Sequence, residues 1–334
     1  MRSEPMLRVV GPNEATVADP VATACATTVA YFDVHACAPR LSEVHRFLVG
    51  ARASRSEVEE ALGRLEGERV VERSGDFWSL FGKRHLVPRR IRFLEHSRRL
   101  WPEARAIARF IERSGLATSG MVTGSLAADN ADEHADIDFL FTYPAERTWT
   151  SFAAVRILGK IPSIGLDRCC PNYALPEDRL EVRPNNLFTA WELAKAVPMF
   201  GFDVYDRLMA ANAWARRFLP NAFPRAPSVP EPRTDPRWAK ALTSTKFFRA
   251  IEDAEKQRKF GREKLHVGVD MRSREREGRA DRHSPVRSSF VLSELRYRIE
   301  QLGLSGNPIF PDLHAETAKL NGELVEWAGT RLET

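Results

Sequence analysis

The residues best suited to chemistry lie between Met121 and Tyr143, in MVTGSLAADNADEHADIDFLFTY. Asp136 and Asp138 stand two apart in a run, 135–141, that alternates as a strand does. Alternation sets both acids on one face and Ile137, Phe139 and Phe141 on the other. Two carboxylates side by side repel, so the pair calls for a cation. Oxygen ligands without histidine or cysteine select a hard ion, Mg²⁺ or Mn²⁺ in its place. Upstream lie Gly124 and Ser125. Glycine permits a tight turn and a close backbone approach to a ligand. Ser125 then opens a helix, where free N–H groups attract phosphate. A phosphate cradle beside a magnesium site suits transfer of a phosphate-bearing group, in which positioning and charge neutralisation supply most of the catalysis.

These residues need a scaffold. Met121 to Thr123 reads as a short strand ending at the Gly-Ser turn, and SLAADNA as helix-like. Residues 1–20 read as a loose tail. Residues 21–82 give three helices and a hairpin, the order of a winged helix. Ser54 with Glu57 forms a capping box before the third helix, and Ser74-Gly75-Asp76 supplies the hairpin turn. The exposed face of that third helix carries Glu57, Glu59, Glu60, Glu66 and Glu68, which phosphates would repel. Segment 83–114 forms a basic connector, read as two consecutive helices with Pro88 and Pro102 in their first turns. Its residues 83–113 hold ten Lys/Arg and three Glu, so they either wall a polyanion or form a solvated face. Residues 121–150 reverse the sign, with six acids against Arg147. The core is placed at 115–185 and a helical region at 186–334. Within the latter, six prolines in 220–236 read as a linker, 268–289 as a charged loop, and 290–304 with 314–332 as a closing helical pair.

Gly-Ser, ten intervening residues and D-x-D on an apolar strand resemble the DNA polymerase beta superfamily of nucleotidyltransferases. The wider layout resembles a bacterial group of nucleotidyltransferases with an N-terminal winged helix. YFDV (31–34), HLVPRR (85–90), CPNYAL (170–175), NNLFTAWELA (185–194) and ANAWARRFLPN (211–221) carry that likeness, which covers about residues 25–221. The resemblance implies an α+β fold with a short mixed sheet. It implies that Gly124 and Ser125 contact a triphosphate and that Asp136 and Asp138 hold the metal. The expected activity is Mg²⁺-dependent transfer of a nucleoside monophosphate from an NTP to an acceptor, with release of pyrophosphate. The alternative is a nucleotide sensor or nucleic-acid-binding protein with a degenerate core.

One departure bears on turnover. The superfamily places a third carboxylate, base and metal ligand, on a neighbouring strand. The matching strand here, CPNYAL, presents Asn172, whose amide ligates weakly and takes no proton. Glu181, on a possible strand Leu180-Glu181-Val182, or Asp167 would replace it, or both are surface residues. Without a third carboxylate, the acceptor arrives ionised or the site binds nucleotide without turnover. Arg168 and Lys195 either meet a γ-phosphate or lie on the surface. Trp191 and Phe188 either stack a base or belong to the core, and His134 either lines the mouth or sits in an open loop.

Composition sets the outer limits. The chain has 334 residues, 43% hydrophobic and 28% charged, with a net charge of +5, which fits a globular protein of two or three domains. Nucleic acid remains an admissible partner through the basic helices, beside an acceptor that is a small molecule, a protein or an RNA. The four cysteines have no zinc-ligand spacing and read as free thiols. There is no P-loop, no G-x-G-x-x-G, no nucleophile elbow and no H-E-x-x-H. The start lacks the apolar run of a signal peptide, and no stretch has the length of a membrane span, so a cytoplasmic protein with no membrane partner is expected.

Overall fold

The computed structural model describes residues 19–161, 164–223, 245–246, 249–254, 257, 280–281 and 285–304. The fold is mixed α+β, mostly helical, with one small mixed sheet. The described residues begin with α1 (Pro20–Val34), α2 (Leu41–Arg46) and α3 (Arg55–Gly67), followed by the antiparallel hairpin β1 (Val71–Ser74) and β2 (Phe77–Leu80). Then come α4 (Leu86–Ser114), β3 (Ser119–Val122), α5 (Gly124–Ala127), β4 (Ile137–Tyr143), α6 (Thr148–Leu158) and β5 (Cys169–Pro176). After these lie α7 (Leu187–Lys195), β6 (Val197–Phe200), α8 (Phe202–Ala211), β7 (Ala280–Asp281) and α9 (Pro285–Gln301). The sheet order is β6-β3-β4-β5-β7, antiparallel except for the parallel β4–β5 pair.

The two faces of this sheet meet different partners. Ile137, Phe139, Phe141 and Tyr143 of β4 pack with Leu100, Ala104, Ile107 and Ile111 of α4 and with Trp149, Phe152 and Val155 of α6. Met121, Leu140, Tyr173 and Leu175 belong instead to a cluster with the N-terminal helices, α7, α8 and α9. In that cluster α1 is buried nearly all round. Its alanines and threonines are small enough for neighbours to close in. Thr27 and Thr28 return their hydroxyls to the carbonyls of Thr23 and Ala24 at 2.8 and 2.7 Å, so burial leaves those hydroxyls bonded. Helix α9 is fastened to α1 by Arg298, whose Nε donates to Asp33 Oδ2 at 2.7 Å.

Three expectations are corrected. The basic connector is one helix, not two, with Pro102 in its interior. Pro102 lies on the solvent side, where water can serve the carbonyl that loses its donor, and the apolar stripe from Leu94 to Ile111 continues beneath it. The region after 185 is not all helical: β6 and β7 are the sheet's two edges, so the sheet extends beyond 115–185. Residues 180–182 form no strand. The tail through residue 18, the proline-rich stretch from 224, most of the loop expected over 268–289 and the helix expected over 314–332 lie outside the described residues.

Candidate functional site

Gly124, Ser125, Asp136, Asp138 and Asn172 lie toward one end of the sheet. Strand β3 ends at Val122 where β4 begins, and Val122 pairs with Phe139. Parallel pairing sets Asp138 opposite Cys170 at the start of β5. Asp138 is the second residue of its strand and half-buried; Asp136 stands one residue before the strand and is exposed. Between them Ile137 is fully buried, facing the opposite core.

The Gly-Ser turn is fitted to the second acid. The N–H of Thr123 donates to the carbonyl of Asp138 at 2.8 Å. Gly124 follows with a φ of +65°, in the region that favours glycine. A Cβ on Gly124 would stand 2.1 Å from Asp138 Oδ2, so the carboxylate occupies the space that any other residue would fill. Ser125, half-buried, comes next, and its carbonyl accepts the N–H of Asn130 at 2.9 Å.

Pairing of β4 with β5 slips between Phe139 and Leu140, and Asn172 is the extra residue, 6% exposed. Glu181 does not replace a carboxylate here. It lies beyond Pro176, at the opposite end of β5, past about 20 Å of strand. There it is exposed and paired with Arg183 at 3.1 Å. Asp167 is at the correct end, two residues before Cys169, which pairs with Ile137, and is exposed. Among the described residues, no three His, Cys, Asp or Glu side chains gather closely enough to hold a metal. Asp136 and Asp138 offer two hard carboxylates, one on either side of a buried residue, the donor type that Mg²⁺ would take.

Other candidates divide. Lys195 is 8% exposed, bound to Glu192 at 2.6 Å, and precedes Val197, which pairs with Val122, so it belongs to the site's end of the sheet. Arg168 is occupied locally: its Nη1 donates to the carbonyls of Glu133 and Ala135 at 3.1 and 3.4 Å, and it steadies the loop ahead of Asp136. Trp191 is core, stacked between Tyr31 at 4.0 Å and Phe47 at 4.9 Å, and Phe188 is buried in the same cluster. His134 is exposed beside Glu133. All four cysteines are free thiols, and burial pushes Cys25, Cys37 and Cys169 up to about 12. The adjacent Cys170 adds to the shift at Cys169.

The sequence reading missed a set of residues behind the turn. Arg90, Ser97 and Trp101 of α4 all bond to residues 128–131, and Glu43 of α2 bonds to Arg90. Their spacing along α4 was a usable signal, but arginine in a basic run reads as surface.

Comparison with protein-family models, with curated proteins and with solved structures gave no match.

Proposed function

We propose that this end of the sheet binds a nucleoside triphosphate with Mg²⁺ and transfers its nucleoside monophosphate to an acceptor, releasing pyrophosphate. The observation that carries the reading is the seating of Gly124 against the Asp138 carboxylate. It joins a turn made for close approach to a charged ligand with one of two acids that call for a cation. Asp136 and Asp138 would hold the metal, which when bound neutralises phosphate charge. Gly124 and Ser125 would face the β- and γ-phosphates, and Lys195 is the buried cation of the same end. An acceptor oxygen attacks the α-phosphorus in line, and the bond to the bridging oxygen of pyrophosphate breaks. Asn172 accepts no proton, so the chemistry favours an acceptor that arrives ionised, as a phosphate or carboxylate does.

Titration calorimetry of each NTP, with and without Mg²⁺, tests this beside the Asp136→Asn/Asp138→Asn double variant. Metal-dependent binding of an NTP to the wild-type chain, lost in the variant, is expected. Absence of binding by any NTP overturns the reading.

A second reading, a nucleic-acid-binding protein, is favoured by one observation. Arg92, Arg98, Arg99, Arg105, Arg109 and Arg113 are exposed along α4 and make no ion pair among the described residues. Salt-dependent binding of RNA or duplex DNA, weakened by reversing these charges, would support it.

A further inference from the structure

Arg90 is the most deeply buried charged residue described, 1% exposed, and it lies where three parts of the molecule meet. Its Nη1 donates to the carbonyls of Ala128 and Asp129 at 3.0 and 2.8 Å, directly behind α5. Its Nη2 donates to Glu43 Oε1 at 2.5 Å. The other oxygen of Glu43 accepts the N–H of Arg40 at 2.7 Å and so caps α2. One carboxylate thus fixes a helix of the N-terminal part and grips the guanidinium. The guanidinium in turn grips the backbone that follows Gly124 and Ser125.

Further bonds brace the same short segment. Trp101 Nε1 donates to Asp129 Oδ1 at 3.0 Å, and the N–H of Ala131 donates to Ser97 Oγ at 3.1 Å. Arg90, Ser97 and Trp101 are seven and eleven residues apart, one stripe of α4. Asn130 Nδ2 reaches the carbonyl of His35 at the end of α1, at 3.4 Å. Between these fixed points Asp129 has a φ of +48°, a conformation that a non-glycine residue keeps only where its surroundings impose it.

The arrangement has a cost. Arg90 Nε is buried with no partner among the described residues. A core chosen for stability alone would not keep an unsatisfied donor on a buried charge. The planar fork serves three acceptors in fixed directions, which lysine cannot do.

We propose that Arg90 is a positioning residue, transmitting the seating of the N-terminal helices through Glu43 to the Gly124–Ser125 turn. The inference rests on the nucleotide reading for what that turn binds; the mechanical coupling stands apart from it.

Two measurements on the full chain test it: amide hydrogen exchange, and titration with Mg²⁺ and each NTP. The variants are Arg90→Lys, Glu43→Gln and, as a control from the same N-terminal part, Arg64→Met. In Arg90→Lys, the amides of Asn130 and Ala131 should exchange at least tenfold faster, while those of α1 and α3 keep their rates. The nucleotide Kd should rise about tenfold with unchanged stoichiometry per folded chain. Glu43→Gln keeps the shape and an acceptor oxygen, so it also serves if Arg90→Lys fails to fold. It should move both readings the same way by about threefold. Arg64→Met should move neither. Unchanged exchange at 130–131 in the folded variants overturns the proposal, as does an increase spread equally over α1 and α3. If the wild-type chain binds no nucleotide, the functional reading falls, and the exchange pattern alone decides the coupling.

Discussion

The two faces of β4 obey different rules. One face carries Ile137, Phe139, Phe141 and Tyr143, all buried, with the rings of Phe139 and Phe141 stacked at 4.9 Å. The other carries Asp138 and then Leu140 and Thr142, the last bonded to Ser119 Oγ at 2.8 Å. Charge is confined to the start of the strand, where the Gly-Ser turn lies, and the remainder of that face is apolar or satisfied. Neighbouring residues therefore answer to separate demands. Volume fixes the first face. The acid on the second lies against the Gly124 turn.

That contrast can be broken by substitution. Asp138→Asn should lower transfer at least a thousandfold, about 4 kcal/mol of barrier, while the melting temperature stays within a few degrees of wild type. Undiminished transfer in a steady-state assay would end the assignment of this acid. Phe139→Ala should do the reverse. It should destabilise by about 3–4 kcal/mol in denaturant unfolding and leave the nucleotide Kd of the folded chain unchanged. A large change in Kd with no loss of stability would show that the two faces are not separable.

Gly124→Ala crosses the boundary between them. The positive φ alone should cost about 1 kcal/mol, and displacing the Asp138 carboxylate should weaken nucleotide binding about tenfold. Calorimetry with thermal unfolding separates the two effects, and equal affinity would mean that the carboxylate moves freely.

The smallest effect lies far from the strand and calibrates the rest. Asp19 caps α1, accepting the N–H groups of Val21 and Ala22 at 2.8 and 3.2 Å. Partial burial works against its ionisation, but those two N–H groups and the Arg64 guanidinium outweigh it and hold the carboxyl below the usual range. The folded state thus binds the proton less tightly than the unfolded state. The contribution is complete above the unfolded pKa, near 3.9, and is lost as pH falls through the lower folded value. Asp19→Ala should cost about 1 kcal/mol at neutral pH and flatten the acid limb of the stability curve. An unchanged acid limb would mean that the cap is not formed in solution.

Features set by neighbouring residues could be read before the fold was known. The capping box at Ser54 forms as expected, with the Ser54 N–H on Glu57 Oε2 at 2.7 Å. Ser74 pairs with Phe77 across Gly75 and Asp76, the expected hairpin turn. The Gly-Ser turn and the acidic strand meet because both are local and lie in adjacent strands. What escaped reading depends on distant partners. Pro102 argues for a break, but the helix is held by the core beneath it. β6 is only VPMF, four residues with a proline that suits an edge, too short to show a period. Glu181 lay close enough in sequence to be a candidate, and only the strand register shows that it is at the wrong end. Arg90 and Glu43 are 47 residues apart, and nothing in either neighbourhood announces their bond.

The clasp of α9 on α1 also governs when the protein can finish folding. Arg298 and Asp33 are 265 positions apart. At about 5–20 residues per second, a ribosome makes α1 tens of seconds before α9, which covers it. A fifteen-residue helix of small side chains is marginal alone in water. During synthesis, then, α1 waits with an apolar surface open. Closure of α9 on α1 has a high contact order, so their docking should be a slow step of maturation.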